Sequence, residues 1–415
     1  MIRFERFELP NGLRVLVHED TSTPLAAVNL MYDVGSRDED PQKTGFAHLF
    51  EHLMFGGSIN VPDFDNEMQK AGGENNAFTG NDVTNYYCTL PAENIETAFW
   101  LESDRMLQLD FSERNLEVQR QVVIEEFRQR YLNRPYGDVW LLLCPEAYRV
   151  HPYRWPTIGK DPEHIRKATP EDVKTFFYRH YAPNNAVLAV SGNVKTERVR
   201  QLAEKWFAPV ERRKTPVRCL PQEPEHTEAG FLSVRRNVPA DAIYKVFHTD
   251  GLFTHGYRCA DMLTDALASG KSSRLYRRLV KDRQMFSEIN AYVTGDADPG
   301  LLTVYGKLMP GISPEEADNA LLNELHELSS ALLLPRELEK IKNRLETAFI
   351  LEHISILNKA IHLCRHELIG DAADLNRETE AYLSVTAEDI RAAAAGIFRQ
   401  ENGVTLYYQS SEKSS

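Results

Sequence analysis

The chain has 415 residues, of which 42% are hydrophobic and 26% are charged, a balance typical of a soluble globular protein. This length exceeds what one small core accommodates and predicts two domains. The formal net charge of −13, without any block of Lys and Arg, argues against a nucleic-acid-binding protein.

The cysteines and the N-terminus bear on location. Five scattered cysteines without CxxC spacing favour a reducing compartment over a disulfide framework. The N-terminal residues have no apolar signal-peptide core, and no apolar run reaches the length of a membrane span. We therefore expect a cytoplasmic protein with no membrane partner, or an exported one if a leader has been removed.

Strand and helix patterns alternate through the first half. Pro10-Asn11-Gly12 between two alternating runs, residues 3–9 and 13–18, predicts a β-hairpin. Further strand patterns cover residues 26–34, 77–79, 83–90 and 186–190. Helical patterns cover residues 63–71, 92–109, 112–131, 170–180 and the segment after the turn that begins at 191. This alternation predicts an α/β or α+β architecture.

The most distinctive stretch is His48-Leu49-Phe50-Glu51-His52, inside the run GFAHLFEHLMFGG. Helical side chains four residues apart lie one turn above each other, so His48 and His52 can bind one metal ion with Glu51 on the same side. Zinc at such a site lowers the pKa of bound water to about 7, and Glu51 is placed to act as general base. Two merely packed histidines are the alternative. The intervening glutamate and the glycines after the helix favour the metal site, whose HxxEH order is the inverzincin signature.

Residues 213–228 combine prolines and charges without apolar periodicity, which is typical of an inter-domain linker. The predicted domains are therefore residues 1–212, which carry the metal motif, and residues 229–411. In the second half, strand patterns at 230–238 and 242–251 precede a helical pattern at 259–280, which predicts a helix closed by glycine, and another at 338–349.

The second half resembles the first weakly, and chance similarity is the alternative. HLFEHLMFGGS aligns with MLTDALASGKS, and LEVQRQVVIEEF aligns with LEKIKNRLETAF. The residues opposite His48, Glu51, His52 and Glu126 are, in that order, Met262, Asp265, Ala266 and Ala348. The second half therefore lacks the potential metal ligands of the first, which predicts one metal site per chain.

With these motifs the chain resembles the pitrilysin-type zinc peptidases, the family of insulin-degrading enzyme and mitochondrial processing peptidase, and in particular their short members. The likeness spans nearly the whole sequence. It rests on the HxxEH motif, on GGENNAFTGNDVTNYY, on the helix with QRQVVIEE, on HPYRWPTIG at 151–159 and on SSRLYRRLV at 272–280. The resemblance implies an α+β fold of two homologous domains, each with a mixed, mostly antiparallel sheet packed against helices.

The same resemblance implies Zn2+ as cofactor and a glutamate on another helix as the third ligand. Glu125 and Glu126 follow His52 by 73 and 74 residues, so spacing alone does not separate them. Matching QRQVVIEE to the family's form of this helix favours Glu126. A solvated pair of acids is the alternative for both.

Peptide substrates and a second chain are also implied. In the family, the strand that corresponds to Asn76, Ala77 and Phe78 pairs with the substrate backbone, a form of β-augmentation. An ordinary strand with a buried Phe78 is the alternative. A second chain, identical or related, is expected to complete a closed chamber, as a homodimer or heterodimer.

Some positions depart from the family pattern. Gln119 stands where many members have an acidic residue, and Val280 and Ser287 stand where active relatives often have an Arg and a Tyr. These departures favour an alternative function, a non-catalytic or partner-dependent subunit. A second histidine pair, His362 and His366, is a rival metal site, but its surroundings are typical of an ordinary amphipathic helix.

Overall fold

The computed structural model describes residues 1–215 and 217–411, which form two compact units. The first unit comprises Met1–Gln129, Trp155–Pro221 and Phe349–Glu378. The second comprises Arg130–Arg154, Gln222–Ala348 and the described residues from Thr379 onwards. Both units combine one sheet with several helices, so the predicted α+β class is confirmed.

The strands are β1 (Glu5–Glu8), β2 (Arg14–Glu19), β3 (Leu25–Tyr32), β4 (Glu74–Thr79), β5 (Thr84–Pro91), β6 (Ala186–Gly192), β7 (Gly230–Arg236), β8 (Ala242–His248), β9 (Phe286–Val293), β10 (Leu301–Leu308) and β11 (Gly403–Ser410). The helices are α1 (Phe46–Leu53), α2 (Phe64–Lys70), α3 (Ile95–Leu107), α4 (Glu113–Phe127), α5 (Val139–Ala147), α6 (Pro162–Arg166), α7 (Pro170–His180), α8 (Thr196–Trp206), α9 (His255–Ala268), α10 (Pro314–Ser330), α11 (Pro335–Glu352), α12 (Ile356–Ile369), α13 (Glu378–Ser384) and α14 (Ala387–Ile397).

The sheet of the first unit has the strand order β1-β2-β6-β3-β5-β4. Only β2 and β6 run parallel among its paired strands, and the other neighbours are antiparallel. The hairpin predicted at Asn11-Gly12 joins β1 to β2, and Gly12 takes the positive φ of 89° that the turn requires. At the opposite end, β4 is an edge strand.

The sheet of the second unit repeats this topology without an equivalent of β1. Its order is β7-β11-β8-β10-β9, again with one parallel pair, β7 and β11. In chain order, α1 follows β3 in the first sheet and α9 follows β8 in the second. The two sheets therefore have matching strand orders, as expected for homologous domains. Helix α9 is the counterpart of the motif helix α1. As predicted, a glycine closes this helix: α9 ends at Ala268, shortly before Gly270, which has a φ of 78°. The rest of the predicted segment, up to residue 280, is not part of α9.

Two helices cross the predicted boundary between the halves. Helix α5, from the first half, packs Val139, Leu143 and Ala147 into the core of the second unit. Helix α12, from the second half, packs Leu363 and Cys364 onto the sheet of the first unit. The compact units therefore differ from the sequential division into residues 1–212 and 229–411, because each sheet buries one face against a helix from the other half of the chain.

The predicted linker at 213–228 has neither helix nor strand among its described residues. Its first part nevertheless packs on the first unit. Arg218 forms ion pairs with Asp33 at 3.0 Å and Asp38 at 2.9 Å, and Arg213 donates to the carbonyl of Tyr181 at 2.7 Å. Across the described residues, every helix is too short or too polar to cross a membrane.

Candidate metal centre

Helix α1 presents the motif residues. His48 is buried, whereas Glu51 and His52 are half-buried, and the two imidazole ring centroids lie 4.9 Å apart at a near-perpendicular 85°. The apolar residues between them face the core, where Phe50 stacks on Phe176 at 5.2 Å. The sequence thus places one face of α1 in the core and leaves Glu51 and His52 partly accessible on the other.

Helix α4 brings the third predicted ligand to this face. A carboxylate oxygen of Glu126, Oε2, lies 3.6 Å from Nε2 of His48 and 3.3 Å from Nε2 of His52. These three residues are the group of potential ligands that the structure brings together, with donor atoms within 4.8 Å of one another. The α4 helix begins at Glu113 because Ser112 accepts a hydrogen bond from the backbone N–H of Asn115, as an N-cap does.

The neighbouring acid, Glu125, points elsewhere. Its carboxylate lies 3.6 Å from Arg128 and accepts a hydrogen bond from the side chain of Gln129 at 3.1 Å. Glu125 is exposed, whereas Glu126 is half-buried. Of the two acids that spacing leaves open, the geometry brings only Glu126 to the histidines.

The donor set fits zinc. Two ligand atoms that are each about 2.1 Å from a tetrahedral ion are about 3.4 Å apart. The separations of 3.3 and 3.6 Å from Glu126 to the two histidines match that value. Two imidazole nitrogens and one carboxylate also form a combination found in catalytic zinc sites, which keep a fourth position for water or substrate.

The start of α1 is fixed by a residue that sequence reasoning missed. The buried carboxylate of Glu39 accepts hydrogen bonds from the backbone N–H groups of Gly45 and Ala47, both at 2.9 Å, and from the indole of Trp155 at 3.1 Å. Burial raises the pKa of Glu39 to about 8, although the three N–H donors oppose that rise. Glu39 thus satisfies two otherwise orphaned donors at the helix N-terminus. Glu39 lies six residues before Gly45, between the strand pattern at 26–34 and the motif helix, and this position carries no local capping signal.

The edge strand β4 borders the same site. Side chains alternate along it, so that Asn76 and Phe78 are exposed and Ala77 is half-buried. Phe78 is 39% exposed, which is contrary to the alternative of a buried ring. The backbone N–H of Ala77 donates to the side-chain oxygen of Asn76 at 2.8 Å. That amide therefore lies at the open edge of the strand rather than in the pairing with β5.

A hydrogen bond joins this strand to the motif helix. The hydroxyl of Thr79, the last residue of β4, donates to Oε2 of Glu51 at 2.6 Å. Tyr86 on the next strand donates to the carbonyl of Phe50 at 3.2 Å, and burial raises the pKa of this tyrosine. The motif helix is therefore tied to β4 through its acid and to β5 through its backbone.

Two family models match this chain. Residues 14–160 match the model described as insulinase (peptidase family M16), and residues 167–345 match the one described as the peptidase M16 inactive domain. The two matches follow one another along the chain and together span most of the sequence. The chain belongs to peptidase family M16, the pitrilysin-type peptidases.

Individual proteins and solved structures match nearly the whole length of the chain. A zinc protease of Helicobacter pylori, PqqE, is 28% identical over 98% of this chain and 92% of its own length. The crystal structure of a protease from Helicobacter pylori has a TM-score of 0.91 at 28% identity and covers 99% of this chain and 100% of that one. The periplasmic protease PqqL from Escherichia coli, at 16% identity and a TM-score of 0.79, shares the fold over 98% of this chain but only 47% of its own.

The second unit of this M16 protein has no equivalent metal centre among its described residues. Met262 and Ala266, which align with the two histidines, are buried and apolar. Asp265, which aligns with Glu51, forms an ion pair at 2.7 Å with Arg344 on α11. Where the first unit brings potential metal ligands together from two helices, the second joins the corresponding helices through an ion pair.

The other positions discussed from the sequence lie as follows. Gln119 is half-buried on α4, Val280 is half-buried in a π-helical turn at Tyr276–Asp282, and Ser287 is exposed on the edge strand β9. Among the described residues, the rival pair belongs to no group of three potential metal ligands. His366 is buried with Nδ1 2.9 Å from the carbonyl of His362, and Nε2 of His362 lies 3.5 Å from the carboxylate of Glu352.

Proposed function

We propose that this M16 protein is a zinc-dependent endopeptidase that hydrolyses peptides or unfolded segments. One observation carries the proposal: the potential ligand atoms of His48, His52 and Glu126 lie within 4.8 Å of one another, while Glu51 projects from the same helix as the histidines. The zinc-protease names of its relatives support the same reading.

The residues have distinct roles in this proposal. His48, His52 and Glu126 would hold the ion, which when bound acidifies water and polarises the scissile carbonyl. Glu51 takes the proton from the attacking water and returns it to the leaving amine, as a general base and then a general acid. Its half-buried position leaves the carboxylate accessible to water and substrate.

The edge strand β4 is the proposed substrate platform. An extended peptide can add to an exposed sheet edge through main-chain hydrogen bonds, which accept many sequences. Asn76, Ala77 and Phe78 would form the contacts nearest the metal, with the exposed Phe78 ring beside the added strand. Preference among substrates would then come from such side-chain contacts. A cytoplasmic location stays a prediction from the scattered cysteines, with an exported location as the alternative.

A second chain, identical or related, is part of the proposal. This chain matches 47% of PqqL, so that protease has about as much sequence again beyond the matching part. A short M16 chain would obtain the corresponding half by forming a homodimer or heterodimer. Val280 and Ser287 stand where active relatives often have an Arg and a Tyr, and this favours a second candidate function, a subunit that is non-catalytic or that cleaves peptides only with a related partner.

Metal removal and restoration test the proposal. The full chain is assayed on an internally quenched peptide library as purified, after dialysis against a chelator, and after one equivalent of zinc is returned. We expect cleavage that is lost with the metal and regained with zinc. Bound zinc without cleavage, followed by cleavage when a related M16 chain is added, would favour the partner-dependent subunit. A chain that binds no zinc would contradict the peptidase function and leave the non-catalytic subunit.

A further inference from the structure

Thr79 makes the hydrogen bond that connects the proposed substrate strand to the proposed base. Its hydroxyl donates to Oε2 of Glu51 at 2.6 Å, which is a short distance for an O–H donor and is typical of a bond to a carboxylate. Both side chains are half-buried, so water competes less for this bond than at an open surface. Thr79 is therefore in direct contact with the group that handles the proton.

The backbone around Thr79 is held on several sides. Thr79 pairs with Thr84 on β5, and the following Gly80 donates to the carbonyl of Val83 at 2.8 Å. The carbonyl of Gly80 in turn accepts from the backbone N–H of Ser36 at 3.2 Å. The hydroxyl consequently projects from a fixed turn rather than from a loose loop.

Thr79 also follows directly after the proposed substrate contacts. Side chains at alternate positions of a strand share a face, and both Ala77 and Thr79 are half-buried while Phe78 between them is exposed. A peptide that pairs with the edge at Asn76–Phe78 would hold the strand one residue away from the hydroxyl. Substrate pairing and base orientation are thus joined through one short piece of backbone.

We infer that Thr79 is a positioning residue for Glu51, which fixes the carboxylate for proton transfer and links strand pairing along β4 to that orientation. The inference rests on the proposed function. A glutamate side chain has three rotatable bonds, and a hydrogen bond to one oxygen selects one arrangement of the carboxylate plane. A base misplaced by about 1 Å loses roughly 100-fold in rate, which sets the scale of the effect.

Thr79→Val and Thr79→Ser test the inference as a matched pair. Valine keeps the shape and removes the hydroxyl, whereas serine keeps the hydroxyl and removes a methyl group. For the zinc-loaded full chain on the best peptide of the quenched library, we expect Thr79→Val to lower kcat about 10- to 100-fold with KM within about twofold of wild type. We expect Thr79→Ser to retain most of kcat.

A purely structural role predicts the reverse order, because serine leaves a small cavity and valine does not. That order, or a kcat of Thr79→Val equal to wild type, would overturn the inference, as would a rise in KM alone. Zinc content and the urea midpoint are measured for each variant, and both should match wild type. Thr79→Ala supplies a second hydroxyl-free variant if valine impairs folding.

Glu51→Gln, run in the same series, separates failure of the inference from failure of the proposed function. Cleavage that Glu51→Gln abolishes but Thr79→Val leaves intact would overturn the positioning role alone. Absence of any Glu51-dependent cleavage by wild type would overturn the proposed function, and the positioning role with it.

Discussion

Replacing Glu126 by glutamine should weaken zinc binding, whereas the same change at Glu125 should not. The carboxylate of Glu126 lies 3.3 and 3.6 Å from the two histidine nitrogens, and that of Glu125 lies beside Arg128. The pair is well matched because the two residues are adjacent on one helix and the substitution is the same. Only the direction in which the side chain projects differs.

The size of the effect follows from the number of ligands. Zinc sites with four protein ligands bind the ion with about 10–16 kcal/mol, so one ligand accounts for roughly 3 kcal/mol. That loss raises the dissociation constant about 100-fold. Glu125→Gln removes an exposed ion pair, which contributes about 0–1 kcal/mol to the stability of the fold. It removes no zinc ligand, so the dissociation constant for zinc should not change.

Competition with a chromogenic chelator measures the dissociation constant of each variant, and circular dichroism checks that both are folded. The expected order of affinity is wild type equal to Glu125→Gln, with Glu126→Gln about 100-fold weaker. Equal loss in both variants, or loss in Glu125→Gln alone, would refute the assignment of Glu126 as the third ligand.

Three further changes have expected outcomes. Glu39→Ala removes the acceptor of two backbone N–H groups and one indole N–H, and should lower the free energy of unfolding by about 3 kcal/mol in urea titrations; a loss below about 0.5 kcal/mol would contradict the capping role. Lys359, 2.7 Å from Asp20, holds the pKa of that carboxyl well below its usual range, so the pair stabilises the fold at neutral pH and loses this effect as the pH falls below about 4. Lys359→Met should therefore lower the free energy of unfolding by about 1 kcal/mol at pH 7 and by less at pH 3. A loss that is larger at pH 3 than at pH 7 would contradict this pH dependence. Phe78→Ser should raise KM about 10-fold with little change in kcat or stability, since the ring is 39% exposed; an unchanged KM would remove Phe78 from the substrate contacts.

Local sequence signals account for much of the first sheet and its motif helix. The hairpin at Asn11-Gly12 forms where the turn residues predict it, because Gly12 adopts the positive φ that other residues avoid. The histidines of α1 lie on one face because helical periodicity dictates it. These features depend on residues that are close in sequence, so a single sequence contains them.

Features set by distant contacts were beyond the sequence. Helix α5 packs in the second unit and α12 packs in the first, each on the sheet of the other half of the chain. Apolar periodicity shows that one face of each helix is buried, but it does not show which sheet covers that face. The cap by Glu39 and the bond from Thr79 to Glu51 join residues that neither pattern nor spacing connects. The choice between Glu125 and Glu126 likewise requires the packing of α4 beside α1, although family matching favoured the same residue.

The central claim is that Glu51 activates water for peptide hydrolysis at a zinc site built from His48, His52 and Glu126. The most direct test measures zinc content and cleavage of the quenched peptide library for wild type beside Glu51→Gln. The account predicts about one zinc per chain in both proteins and cleavage by wild type alone, because Glu51 is not a ligand in the proposed site. Equal cleavage by the two proteins, at equal zinc content, would contradict it.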